Sequence, residues 1–138
     1  MKSITLLFFV GSFATISIGQ TINESKVPEA VKKAMKKNYA SVKEIKWEKE
    51  DGMYEAGFEV NKVKNSVLLD AEGNVKETEH EISITDLPKA VSEYVKKNHP
   101  KSKIISAAKI TDSKGVVKFE AEIKGKDLFF DSNGKFIK

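Results

Sequence analysis

The chain has 138 residues, 40% of them hydrophobic and 32% charged, which is enough for one compact domain and too few for a multidomain enzyme. Its 24 basic residues are all lysine and exceed the 20 acidic ones by four, so the arginine fork used for bidentate phosphate and base recognition is missing and nucleic-acid binding is disfavoured. With no cysteine there is no disulfide, no thiolate nucleophile and no cysteine-ligated metal.

At the amino terminus Met1-Lys2 precede an apolar run from Ile4 to Ile18, closed by Ser17-Ile18-Gly19 with small residues at the −3 and −1 positions. This pattern predicts a signal peptide over 1–19, cleavage before Gln20, and a single exported domain over 20–138. Ser3, Gly11, Ser12, Ser17 and Gly19 interrupt the run, which speaks against a transmembrane anchor, and no cysteine is present for lipidation. The expected product is periplasmic or secreted, with no stable membrane anchor after signal removal.

The remainder is an internal repeat. Val27-Pro28-Glu29-Ala30-Val31 recurs as Leu87-Pro88-Lys89-Ala90-Val91, and Lys36-Lys37-Asn38-Tyr39 as Lys96-Lys97-Asn98-His99, both 60 residues later. Tyr54 to Val60 matches Val117 to Ile123 in alternation at an offset of 63, and Val67 to Val75 matches Leu128 to Phe136 at an offset of 61. The changes fall near 50–52 and 61–65, where loops tolerate insertion. The repeats span about 26–82 and 86–138.

Each repeat opens with a helix. A proline suited to the first turn is followed by a buried stripe, Ala30, Val31, Ala34 and Met35 or Ala90, Val91, Tyr94 and Val95, with lysines on the outer face for solubility. Ser25 and Asp86 are placed to cap the starts, and Asn38, Asn98 and Pro100 end the helices. Strands are predicted near 43–49, 53–62, 65–70 and 74–82, then 103–111, 115–124, 126–131 and 135–138. Alternation is clearest in Tyr54, Ala56, Phe58 and Val60 against Glu55, Gly57 and Glu59. Asp70-Ala71-Glu72-Gly73 and Asp131-Ser132-Asn133-Gly134 read as turns closed by glycine. The predicted class is α+β: two tandem α-β-β-β-β repeats, antiparallel, with both helices on one face. Whether the two sheets join is left open by the pattern.

Two helices of the form [LV]-P-x-A-V ending in Lys-Lys-Asn, a first strand Ile45-Lys46-Trp47-Glu48, and a glycine-closed hairpin after an apolar strand resemble the PepSY-like, beta-lactamase-inhibitor-like exported domains of Bacteroidetes. The resemblance covers residues 26 to 138. It implies an extended antiparallel sheet whose helix-free, concave face grips another protein in inhibitor members. No inhibitory residue set can be carried over, and Ala107 replaces the tryptophan in the second copy.

Catalytic constellations are missing from the sequence. His80 and His99 are the two histidines, His80-Glu81 lacks the second histidine of a zincin, and no nucleophile elbow, P-loop or dinucleotide fingerprint occurs in 20–138. The protein is therefore read as a non-enzyme with no cofactor and no metal site. His99 is read as a helix-end capping or packing residue. Glu77, Glu79 and Glu81 would project from a strand about 6.8 Å apart, too far for one calcium ion, and read as a solvated strand face.

Val67-Leu68-Leu69 and Leu128-Phe129-Phe130 are apolar at consecutive positions, so some of these side chains must leave the helix-covered face. Leu68 and Phe129 are therefore candidates for a partner-binding face, with Trp47 as a further anchor and Glu55, Glu59, Lys118, Glu120 and Glu122 as a charged rim. The function expected is a non-enzymatic binding module that docks a protein or peptide in the cell envelope or outside the cell, inhibition being one form of such docking. The alternative is an envelope sensor or carrier for a small molecule or ion.

Overall fold

Alternating strands joined by tight turns build a single sheet. The computed structural model describes residues 19–138, so the expected signal peptide lies, but for Gly19, outside the described residues. Eight strands run in chain order: β1 (Gln20–Ile22), β2 (Lys46–Glu50), β3 (Met53–Val60), β4 (Val63–Leu69), β5 (Val75–Ile82), β6 (Ser106–Asp112), β7 (Val117–Ile123) and β8 (Lys126–Asp131). Helix α1 (Glu29–Asn38) lies between β1 and β2, and α2 (Lys89–Asn98) between β5 and β6. Spatial order equals chain order and every pairing is antiparallel, so the two repeats share one continuous sheet, joined where β5 pairs β6 from Glu77↔Asp112 to Ile82↔Ala107. The α+β class and the placement of both helices on one face are as the sequence predicts.

The pairing adds detail that sequence alignment lacks. Leu69 lies opposite Tyr54 and Phe130 opposite Phe119, so the equivalence between β3 and β7 is 65 residues, not the 63 of the alternation match. The two offsets differ by two, which leaves every side chain on its expected face. A strand not foreseen, β1, precedes α1 and pairs Ile22 with Trp47 as β5 pairs Ile82 with Ala107. The strand predicted over 135–138 reduces to a bridge, Phe130↔Phe136, plus main-chain hydrogen bonds from Phe129 N–H to the Lys138 carbonyl and from Ile137 N–H to the Phe129 carbonyl. Ser25 and Asp86 do not cap. They fall in single 3-10 turns, and each helix starts without a side-chain cap at Pro28 or Pro88. Asn38 and Asn98 do close the last turns, their amides donating to the Ala34 and Tyr94 carbonyls at 3.0 Å.

Each helix buries its stripe in its own core. Val31 and Met35 pack with Trp47, Tyr54, Ala56, Phe58, Val67 and Leu69, while Val91 and Val95 pack with Ala121, Ile123, Leu128 and Phe130. Trp47 is 3% exposed within the first of these, so it is not an anchor for a partner: its strand position faces α1. The second core compensates for Ala107 elsewhere. Where the first repeat has Ala34, Leu69 and Val75, the second has Tyr94, Phe130 and Phe136, with Tyr94 stacked on Phe136 at 4.4 Å.

Two glycines lock the hairpins to the helices. Gly73 and Gly134 have φ of 87° and 82°, and a Cβ at Gly73 would lie 2.6 Å from the Ala30 carbonyl oxygen while one at Gly134 would lie 2.9 Å from Pro88 Cβ. Both turns are held by an aspartate: Asp70 Oδ1 accepts from the Glu72 and Asn74 amides, and Asp131 Oδ1 from those of Asn133 and Lys135. The same device recurs at Asp112, which accepts from Lys114 and Val116.

Candidate functional site

The face of the sheet opposite the helices is where the repeat leaves chemistry unexplained. Register carries the parity across all eight strands: Glu55 lies opposite Leu68, Leu68 opposite Glu77, Glu79 opposite Ile110, and Glu120 between Ala108 and Phe129. These side chains share the helix-free face with Glu48, Ser66, Lys118, Glu122 and Asp127. Leu68 and Phe129 thus both point away from the helices, for the reason read from their apolar neighbours.

Their surroundings differ. Leu68 is half-buried and lines a cleft of about 300 Å³ together with Met53, Ile110, Ser66, Glu55 and Glu79. Phe129 is 6% exposed, its ring beneath the Lys138 ammonium at 5.1 Å, and so is not an open docking surface. The returning chain end, hydrogen-bonded to Phe129 at both its N–H and its carbonyl, covers that region.

The carboxylates expected to rim a wet patch are instead crowded. Glu120 has no exposed surface, and neither of its oxygens has a hydrogen-bond partner. Glu55 is pushed up to about 7, chiefly by desolvation and then by the charge of Glu48, with a hydrogen bond from Ser66 opposing the shift. Burial also pushes Glu79 and Glu120 well up, and neighbouring charge adds to it: Glu55 acts first on Glu79, and Glu79 first on Glu120. Glu77 and Asp127 are raised by desolvation too. Glu122 accepts a 2.6 Å hydrogen bond from the Ser106 hydroxyl, Lys118 is half-buried, and Glu59 is exposed at the far end of β3, away from the cleft.

Glu77 and Glu79 depart from the solvated strand face expected of them. Alternation alone suggests water, but in this sheet their side chains meet Leu68 and Ile110 on the neighbouring strands. The Glu-x-Glu pattern by itself gives no sign of this, because the signal lies in pairing partners far apart in sequence. The carboxylates remain distributed along and across strands; among the described residues no group of three or more histidines or acids is gathered closely enough to hold a metal ion. Nor is any helix among the described residues long and apolar enough to cross a membrane.

Comparison with known proteins agrees with this architecture. The sequence matches the family described as "Putative beta-lactamase-inhibitor-like, PepSY-like" twice, over residues 15–75 and 52–138. A "putative periplasmic" protein of Bacteroides eggerthii has a similar fold, with TM-score 0.70 and 16% identity over 81% of this chain and 86% of that one. A DUF2874 family protein of Bacteroides uniformis gives 0.68 and 18% over 80% and 86%. A BLIP-like protein of Bacteroides fragilis gives 0.59 and 25% over 80% and 84%. No curated protein matches the sequence.

Proposed function

The chain belongs to the PepSY-like, beta-lactamase-inhibitor-like family, and from that premise we propose that it is an exported, non-enzymatic module that docks a protein or peptide on the helix-free face of its sheet. Export is supported by the charged start and apolar run before Gln20, and by the description of the Bacteroides eggerthii neighbour as periplasmic. The observation that carries the docking reading is the cleft of about 300 Å³ at Leu68, where half-buried Met53 and Leu68 lie over a buried Ile110 on the side of the sheet away from the helices. The helix-side cores are complete without it.

The test is affinity capture from an envelope extract with the purified protein beside its Leu68→Asp variant, both checked to be folded by circular dichroism at the working temperature. A single partner held by the parent and lost by the variant is the expected result. Equal capture by the two proteins removes the face from consideration, and binding of only small apolar molecules or divalent ions in calorimetry replaces the reading with that of a carrier.

A further inference from the structure

The chemistry of the docked partner is legible in the charges around the cleft, and this inference rests on the docking reading above. We propose that the cleft between Glu55 and Glu79 receives a lysine or arginine side chain from an extended peptide, with its aliphatic stem on Met53, Leu68 and Ile110 and its cationic head on the two carboxylates.

Charge balance is the first reason. The charged groups lining the cleft are all acidic, Glu50, Asp51, Glu55, Glu77 and Glu79; Lys118 and Lys138 act on Glu77 from outside it, and Lys46, which acts weakly on Glu55, sits 2.9 Å from Glu48. Glu120, with no exposed surface and both oxygens unpaired, is held protonated by burial, so the charge a cation would meet is that of the acids lining the cleft itself. A cation seated at Glu79 would also lie beside Glu55 and Glu77, the two groups whose charges act most strongly on it.

Shape is the second reason. Lysine and arginine carry an apolar stem below a charged head, which is the order of surfaces the cleft presents. A neutral apolar side chain would leave the carboxylates uncompensated, and an acidic one would be repelled. A bare metal ion needs several oxygens drawn to one point, and these are spread over separate strands.

Seating a cation favours the ionised carboxylates, so binding displaces protons that Glu55 and Glu79 hold near neutrality. Affinity then rises with pH, by up to about tenfold per pH unit for each proton displaced. The experiment is isothermal titration of the purified protein with a capped peptide bearing one central lysine, and with its norleucine counterpart. Both are run at pH 6 and pH 8 in buffers of different ionisation enthalpy, beside calcium chloride alone. The expected result is lysine-peptide binding that strengthens about tenfold or more over that range with net proton release, a norleucine peptide that is weak and indifferent to pH, and loss of the difference in Glu79→Gln. Glu79→Gln is nearly isosteric, and the comparison of the two peptides on the parent protein stands even if that variant folds poorly. Equal affinity for the two peptides overturns the inference while leaving face docking intact if Leu68→Asp abolishes both. Binding of neither peptide, beside Leu68-dependent partner capture, overturns it also. So does calcium binding that depends on Glu79 in place of peptide binding, or concentration-dependent self-association abolished by Glu79→Gln, which would assign the face to a second copy of the chain.

Discussion

Glu55 opposite Leu68 and Glu120 opposite Phe129 are the same pair in the two repeats, yet one borders an open cleft and the other is sealed. Duplication has set the parity of both pairs and nothing more. Around the first, β5 continues the sheet with Glu77 and Glu79 beside a leucine too small to fill the space. Around the second, a larger phenylalanine meets the chain end, whose Lys138 ammonium lies over its ring. Exposure on a repeat's free face is thus decided by what stands next to it, which the repeat does not encode.

The helix side supports the largest test of this contrast. Trp47→Ala is expected to lose about 3–5 kcal/mol in chemical denaturation, and Ala107→Trp, at a position with no exposed surface, about 1–3 kcal/mol through overpacking. A stabilising Ala107→Trp would mean that Tyr94, Phe130 and Phe136 leave a void where the first repeat keeps an indole. On the free face, Phe129→Asp should cost about 3–5 kcal/mol, as a charge replaces a buried ring, and Leu68→Asp about 1–2 kcal/mol, the leucine being only half-buried while its replacement meets Glu55 and Glu77 across the strands. Similar losses from both would erase the distinction between open and sealed pairs.

A smaller effect separates the hairpins. Alanine at Gly73 or Gly134 forces a left-handed backbone costing roughly 1–2 kcal/mol, and Gly73→Ala should be the worse of the two because the Ala30 carbonyl is backbone and cannot turn aside. Gly125→Ala, with open space around it, isolates the backbone contribution in the same thermal melts. The smallest expected change is the effect of Glu120→Gln at pH 5, and it should grow as the pH rises. Glutamates raised in the folded state keep protons that the unfolded chain releases above about 4.5, so their contribution to stability falls as pH climbs through about 7 at Glu55 and beyond at Glu79 and Glu120. Asp70 and Asp112, held low by hydrogen bonds from Asn74 and from the Val116 amide, act in the opposite sense, their contribution being lost as pH falls below 3.8. Melting temperature should therefore peak in mild acid, and Glu120→Gln should flatten its alkaline side. An unchanged slope would show that Glu120 is not the desolvated group described.

Much of this was legible in the chain. Proline-started stripes, Asp-x-x-Gly turns and alternation define both helices and seven of the eight strands, and consecutive apolar residues at Leu68 and Phe129 correctly imply a second apolar face. What escaped depends on partners distant in sequence. β1 is three residues with no periodicity of its own, made a strand by Trp47 and its neighbours. Trp47 looks like an interface anchor until its register places it under α1. Glu79 reads as wet until Ser66 and Ile110 are found on either side. Local chemistry declares which way a side chain points, whereas crowding is a property of the assembled sheet.

The outer margins of that sheet carry a further implication. One rim ends in the three residues of β1, and the other is partly occupied by the stretch running from Phe136 to Lys138. Rims this brief give little template for an added strand, which discourages edge-to-edge pairing and amyloid-like stacking.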